Sequence, residues 1–185
     1  MLFDHERDIR FGCVGVAQHG PEGSHRNAST LPDGVVDQGP RHRHVALPGQ
    51  PALVLDVAHN PHSIAALAAN LDAMSFYPTT HGVFGAMADK DLAAMLATMD
   101  PVVDRWYFSD LPTPRAETAA GLLAKWQAAT TRKDVEASTH AGPVAALAAA
   151  MAAAGPADRI VIFGSFYTVG GILKDGLPRL QAKHL

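Results

Sequence analysis

The sequence predicts an α/β fold, a mostly parallel sheet of about six strands with helices on both faces, preceded by an irregular N-terminal segment. Three observations predict it. From Val45 onward, short apolar runs alternate with longer helical patterns, and this spacing calls for right-handed βαβ crossovers. Several of the short runs are apolar throughout, as strands covered on both faces must be. Hydrophobic residues make up 48% of the 185-residue chain and charged residues 18%, enough to build one good-sized core.

The first 42 residues have little periodicity. Gly12, Gly15, Gly20, Gly23, Gly34 and Gly39 are scattered among Pro21, Pro32 and Pro40. The only strand-like piece, 9–17, is broken by glycines. Residues 1–42 are therefore expected to be irregular or disordered and foreign to the fold that follows, which occupies 43–185. A short edge strand is expected at 43–47, followed by strands at 52–57, 81–86, 104–109, 133–138 and 159–164. Helices are expected at 62–74, 89–98, 115–129, 141–154 and about 168–180. The first places Ile64, Leu67, Ala68 and Leu71 on one face at three- and four-residue spacing. Alanine dominates 141–154, where propensity alone nearly decides for helix. Ser138, Thr139 and Asp89 are candidate helix caps.

Composition narrows the function. A net charge of −3 and a pI of about 6.3 give no electrostatic case for nucleic acid or an anionic membrane. Cys13 is the single cysteine, so no intrachain disulfide can form, and a reducing cytoplasm is the expected compartment. The N-terminus is charged at once and has no signal-peptide core. No stretch approaches the roughly 20 apolar residues of a membrane span.

No phosphate loop of the Gly-x-x-x-x-Gly-Lys-[Ser/Thr] type occurs in the chain, nor does a Gly-x-Gly-x-x-Gly after a strand. Gly-x-Ser-x-Gly is also missing, which weakens a serine hydrolase. The pairs His42/His44 and His59/His62 have spacings a metal could use, but no Cys pair or His-Glu-x-x-His accompanies them, so no metal ligands are assigned. The richest stretch is Leu-Val-Leu-Asp-Val-Ala-His-Asn-Pro-His at 53–62, where an apolar run gives way to polar groups just before a helix. In one reading Asn60 caps the helix, Pro61 takes its first position and Asp56 accepts backbone hydrogen bonds. In the other, Asp56 binds ligand hydroxyls while His59 and Asn60 face a cleft at the strand's end. Arg115 is expected to open a helix, where a cation opposes the dipole; it is read either as anion-facing or as a solvated surface residue. Gly164-Ser165 after the last strand is either an anion-binding turn or simply a tight one.

Together these segments resemble the C-terminal domain of the bifunctional folylpolyglutamate synthases/dihydrofolate synthases, in the Mur ligase superfamily. The resemblance rests on Leu-Asp-Val-Ala-His-Asn-Pro-His (55–62), Phe-Gly-Ala-Met-Ala-Asp-Lys-Asp (84–91), Arg-Trp-Tyr with Pro-Arg-Ala (105–107 and 114–116) and Gly-Ser-Phe-Tyr-Thr-Val (164–169). It implies a Rossmann-like domain that closes over an ATP-binding domain. It further implies ATP and magnesium as cofactors, and L-glutamate and dihydropteroate or folate as substrates joined through an acyl phosphate. By the same resemblance Arg43 and Asp56 contact nucleotide with Asn60 beside them, and His59 lies near the reacting phosphate. Arg115 and Ser165 fall on the substrate side.

The chain departs from the resemblance in two places. His42-Arg43-His44 stands where family members carry Gly-Arg-Phe or Gly-Arg-Tyr. The 42 residues before Arg43 resemble nothing of the family's large N-terminal domain, which holds the phosphate loop, the magnesium ligands and most of the pteroate pocket. The expectation is a truncated ligase that is inactive alone and lacks its ATPase partner domain. The competing expectation is a non-enzymatic nucleotide- or partner-binding module.

Overall fold

The strand-and-helix alternation is realised in a computed structural model that describes residues 43–45, by their backbone, and 50–174. The segment read as irregular, 1–42, lies outside the described residues. Strands β1 (Arg43–Val45), β2 (Ala52–Leu55), β3 (Thr80–Phe84), β4 (Arg105–Ser109), β5 (Glu136–His140) and β6 (Arg159–Phe163) form one sheet in the order β1-β2-β6-β3-β4-β5. All adjacent pairs are parallel except the edge pair β1–β2, which is antiparallel with Arg43 opposite Leu55.

Successive side chains on a strand point to opposite faces, and here each face has its own helices. Val54, Phe84, Trp106, Phe108, Val161 and Phe163 pack beneath α1 (Pro61–Ala73), α2 (Leu92–Met99) and α3 (Ala119–Ala129). Leu53, Leu55, Val83, Tyr107, Ile160 and Ile162 pack beneath α4 (Pro143–Ala153) and α5 (Phe166–Lys174). The first layer is aromatic: Phe84 meets Phe163 at 4.9 Å between ring centroids, and Trp106 stacks on Phe108 at 5.3 Å. Each such buried ring contributes roughly 1.5–3 kcal/mol. Gly82 sits on this face because a Cβ there would come within 2.9 Å of Val103.

Four local expectations shift. Ser138 and Thr139 do not cap a helix; they extend β5, paired with Tyr107 and Phe108, and Gly142 with Pro143 begins α4 instead. The cap of α2 is Asp91, whose carboxylate accepts from the Ala94 N–H at 3.1 Å, leaving Asp89 outside the helix. Helix α3 starts at Ala119, capped by Thr118, so Arg115 lies four residues ahead of it and does not oppose its dipole. Helix α5 begins at Phe166, two residues before the expected start, because Ser165 accepts the Tyr167 N–H at 3.1 Å.

Candidate active site

Strand β6 leads to α5 on one face of the sheet, whereas its neighbours β2 and β3 lead to α1 and α2 on the other. The chain therefore diverges beside β6, and in open α/β sheets that divergence opens a crevice at the strands' carboxyl ends where ligands bind.

A glycine draws the three loops together. Gly164 has φ +105°, a conformation L side chains rarely adopt, and a Cβ there would lie 2.6 Å from the Gly85 carbonyl oxygen and from the Phe84 ring. Its N–H donates to the Ala58 carbonyl at 2.9 Å, and the Thr168 hydroxyl donates to the Gly85 carbonyl at 2.7 Å. The turns after β2, β3 and β6 thus share one hydrogen-bonded floor.

After β2, Asp56 is buried, and its Oδ1 accepts the Ala58 N–H at 2.7 Å. Asn60 caps α1: its Oδ1 accepts the Ser63 N–H at 2.9 Å and Ser63 Oγ accepts the Asn60 N–H at 3.2 Å, with Pro61 at the first helical position. These are the interactions of the structural reading, and they rigidify the turn that carries His59. The His59 ring lies 5.9 Å from that of Phe166, and its Nδ1 is 2.9 Å from the Val57 carbonyl. Because a carbonyl only accepts, Nδ1 carries the hydrogen. In the neutral ring Nε2 then holds a lone pair that can take a proton.

After β4, Arg115 is clipped to the β3 loop: its carbonyl accepts the Ala88 N–H at 2.9 Å, and the Glu117 N–H donates to the Ala86 carbonyl at 3.0 Å. The guanidinium reaches Asp89 Oδ2 at 3.4 Å, and Lys90 Nζ lies 3.8 Å from the same oxygen. Arg115 and Asp89 are 75% and 52% exposed, so this pairing is worth only about 0–1 kcal/mol. After β6, Ser165 is buried, and its carbonyl accepts the Thr168 and Val169 N–H groups of α5.

His59, Arg115 and Ser165 line one open cleft of about 170 Å³. Asp56 and Asn60 are not among its walls; they hold the turn behind His59. Arg43 lies one register step from Asp56, opposite Leu55. Sequence reasoning did not pick out the remaining walls: Met87, Asp89 and Lys90 from the β3 loop, and Phe166 and Tyr167 from the start of α5. All five fall inside the family-like segments 84–91 and 164–169, which was the available signal. Among the described residues, no three His, Cys, Asp or Glu side chains are grouped to hold a metal, and no helix is long and apolar enough to cross a membrane.

Residues 41–166 match the family described as Mur ligase, glutamate ligase domain. The dihydrofolate synthase/folylpolyglutamate synthase of Escherichia coli K12 is 35% identical over 124 residues, covering 67% of this chain and 28% of that protein. The structure of E. coli FolC in complex with DHPP and ADP superimposes with a TM-score of 0.64 at 32% identity, over 72% of this chain and 30% of that one. Mycobacterium tuberculosis folylpolyglutamate synthase complexed with ADP superimposes with a TM-score of 0.57 at 27% identity, over 69% of this chain and 32% of that one. The chain thus spans somewhat under a third of the length of these relatives.

Proposed function

The chain belongs to the Mur ligase family, matching its glutamate ligase domain, and we propose that it supplies one wall of an ATP-dependent ligase site joining L-glutamate to dihydropteroate or folates. The observation that carries this reading is the size and place of the cleft. It lies at the switch point, where a ligand is expected, yet about 170 Å³ falls short of the roughly 300–1,000 Å³ of a whole small-molecule site. A cleft of that size accommodates a phosphoryl or carboxylate group and leaves the rest of a nucleotide to a facing domain.

On this proposal Arg43, Asp56 and Asn60 lie toward the nucleotide, and Arg115 and Ser165 toward substrate. Magnesium–ATP, when bound, supplies the phosphoryl group that activates the carboxylate; the ligands for magnesium belong to the facing domain. Arg115 and Lys90 offset negative charge gathering in the cleft, and such preorganised charge is the largest contribution a site of this kind makes. His59, with Nδ1 committed to Val57, presents Nε2 as a proton acceptor for the attacking amine. The chain contains no phosphate loop. The proposal therefore assigns turnover to its assembly with an ATPase domain, in the cytoplasm, and none to the chain alone.

Mixing the chain with the separately produced N-terminal part of the E. coli relative tests this. Phosphate release that depends on glutamate and dihydropteroate, and is lost with His59→Ala, is the expected outcome. Nucleotide binding without turnover in the mixture would instead support a non-enzymatic binding module.

A further inference from the structure

The cleft holds a group that an anion site does not need. Asp89 projects a carboxylate among the cations Arg115 and Lys90, and both reach the same oxygen, Oδ2, at 3.4 and 3.8 Å. The two loops do not depend on this exposed ion pair for their joining, because backbone hydrogen bonds from Ala88 to Arg115 and from Glu117 to Ala86 already hold them together. Nor does it cap α2, since Asp91 has that role. Its second oxygen, Oδ1, takes part in neither ion pair.

Two cations with a carboxylate between them complement a molecule that itself carries both signs. A carboxylate of such a ligand pairs with Arg115 and Lys90, and its ammonium faces Asp89. We propose that Asp89 is a specificity-determining residue that recognises the ammonium group of the incoming amino acid, so that the cleft takes an α-amino acid in preference to a plain dicarboxylate. The inference rests on the ligase reading and adds to it the group that selects for the amine. His59 lines the same cleft, and with its Nδ1 on the Val57 carbonyl its Nε2 is the ring nitrogen left to receive the proton that the ammonium must lose before it attacks. Asp89 would therefore hold the charged amine, and His59 would take its proton.

A matched pair of ligands separates this idea from general anion binding. L-glutamate and glutarate differ only in the amine, and each can be titrated into the full chain while backbone amide shifts of residues 85–91 and 164–168 are followed by NMR. The native chain is expected to bind glutamate more tightly than glutarate. Asp89→Asn is expected to weaken glutamate by roughly threefold to fivefold, the scale of an exposed ion pair, and to leave glutarate equal or tighter. Asp89→Glu should restore part of the preference. Equal changes for the two ligands in Asp89→Asn, or tighter glutamate binding, would overturn the inference while leaving the ligase reading intact. If neither ligand shifted the cleft amides of the native chain, the inference would be overturned, whereas the ligase reading is decided separately by turnover in the mixture with the ATPase domain.

Discussion

His81 is 1% exposed and lies between two partners. Its Nε2 is 3.4 Å from the Asp158 carboxylate and its Nδ1 is 3.1 Å from the Tyr107 hydroxyl. The carboxylate can only accept, so Nε2 carries the hydrogen and Tyr107 donates to Nδ1. Burial holds its pKa below the usual 6.5, against the opposing pull of Asp158 and the weaker one of Asp104, while Arg105 adds to the lowering. A folded-state value below the unfolded one means that the unfolded chain binds the proton more readily. The contribution of neutral His81 is therefore complete above about pH 6.5 and is lost as pH falls from there through the folded value. Thermal melts should show a midpoint that declines on acidification below that pH. His81→Gln should flatten the decline in part, because His140, also lowered by burial, remains. An unchanged decline in the variant would remove His81 from the account. None of this was legible in the sequence. His81 stands at the start of an apolar run, and its partners Tyr107 and Asp158 are 26 and 77 residues away.

Elements show where local signals suffice and where they do not. Helix α1 was legible at its start, since Asn60 and Pro61 are capping residues at capping positions. Its end was not. The last turn of α1 has no basic residue of its own; instead Arg159, from the first position of β6, donates to the Leu71 carbonyl at 2.6 Å. The same guanidinium donates to the Thr80 hydroxyl at 2.9 Å and lies 5.0 Å from the Tyr77 ring centroid. One buried side chain thus ties a helix end, a strand start and the loop between them. Arg159→Leu leaves a buried carbonyl and hydroxyl without their charged donor and should cost about 2–4 kcal/mol in denaturant unfolding. Arg159→Lys should recover a fraction of that, and a loss under about 1 kcal/mol for the leucine variant would contradict the clamp. Strand β5 shows the opposite failure. Ser138 and Thr139 are good cap residues by type, but pairing with β4 overrides that preference, as tertiary context commonly does.

At the scale of the whole molecule, alternating strands and helices called for a mostly parallel sheet, and that is the sheet found, with β1 as its antiparallel edge. The strand order could not be read the same way. The insertion of β6 between β2 and β3 depends on pairings between residues far apart in the chain, Ala52 with Arg159 and Thr80 with Arg159, and no local pattern encodes it. That insertion makes the site, because it brings the Gly164-Ser165 turn against the loops after β2 and β3. His59, Arg115 and Ser165 line the cleft, but their sequence pattern left each with a structural alternative, and it was the family-like segments that pointed to them. Asp89 and Lys90 were not read as site residues because the sequence places them at a helix start, with Asp89 as a cap, whereas Asp91, two residues later, is the cap and the helix begins behind it.

On the proposed function, this domain keeps its half of a nucleotide-dependent site. Calorimetric titration of magnesium–ATP into the purified chain tests this, with Asp56→Asn as the control, because asparagine retains an oxygen for the Ala58 N–H while losing the charge and exchanging the second oxygen for an NH2. Measurable binding by the native chain, weakened at least several-fold in Asp56→Asn with the fold of the variant intact, is the expected result. Binding of equal strength in both, or none at millimolar ATP in the native chain, would contradict it.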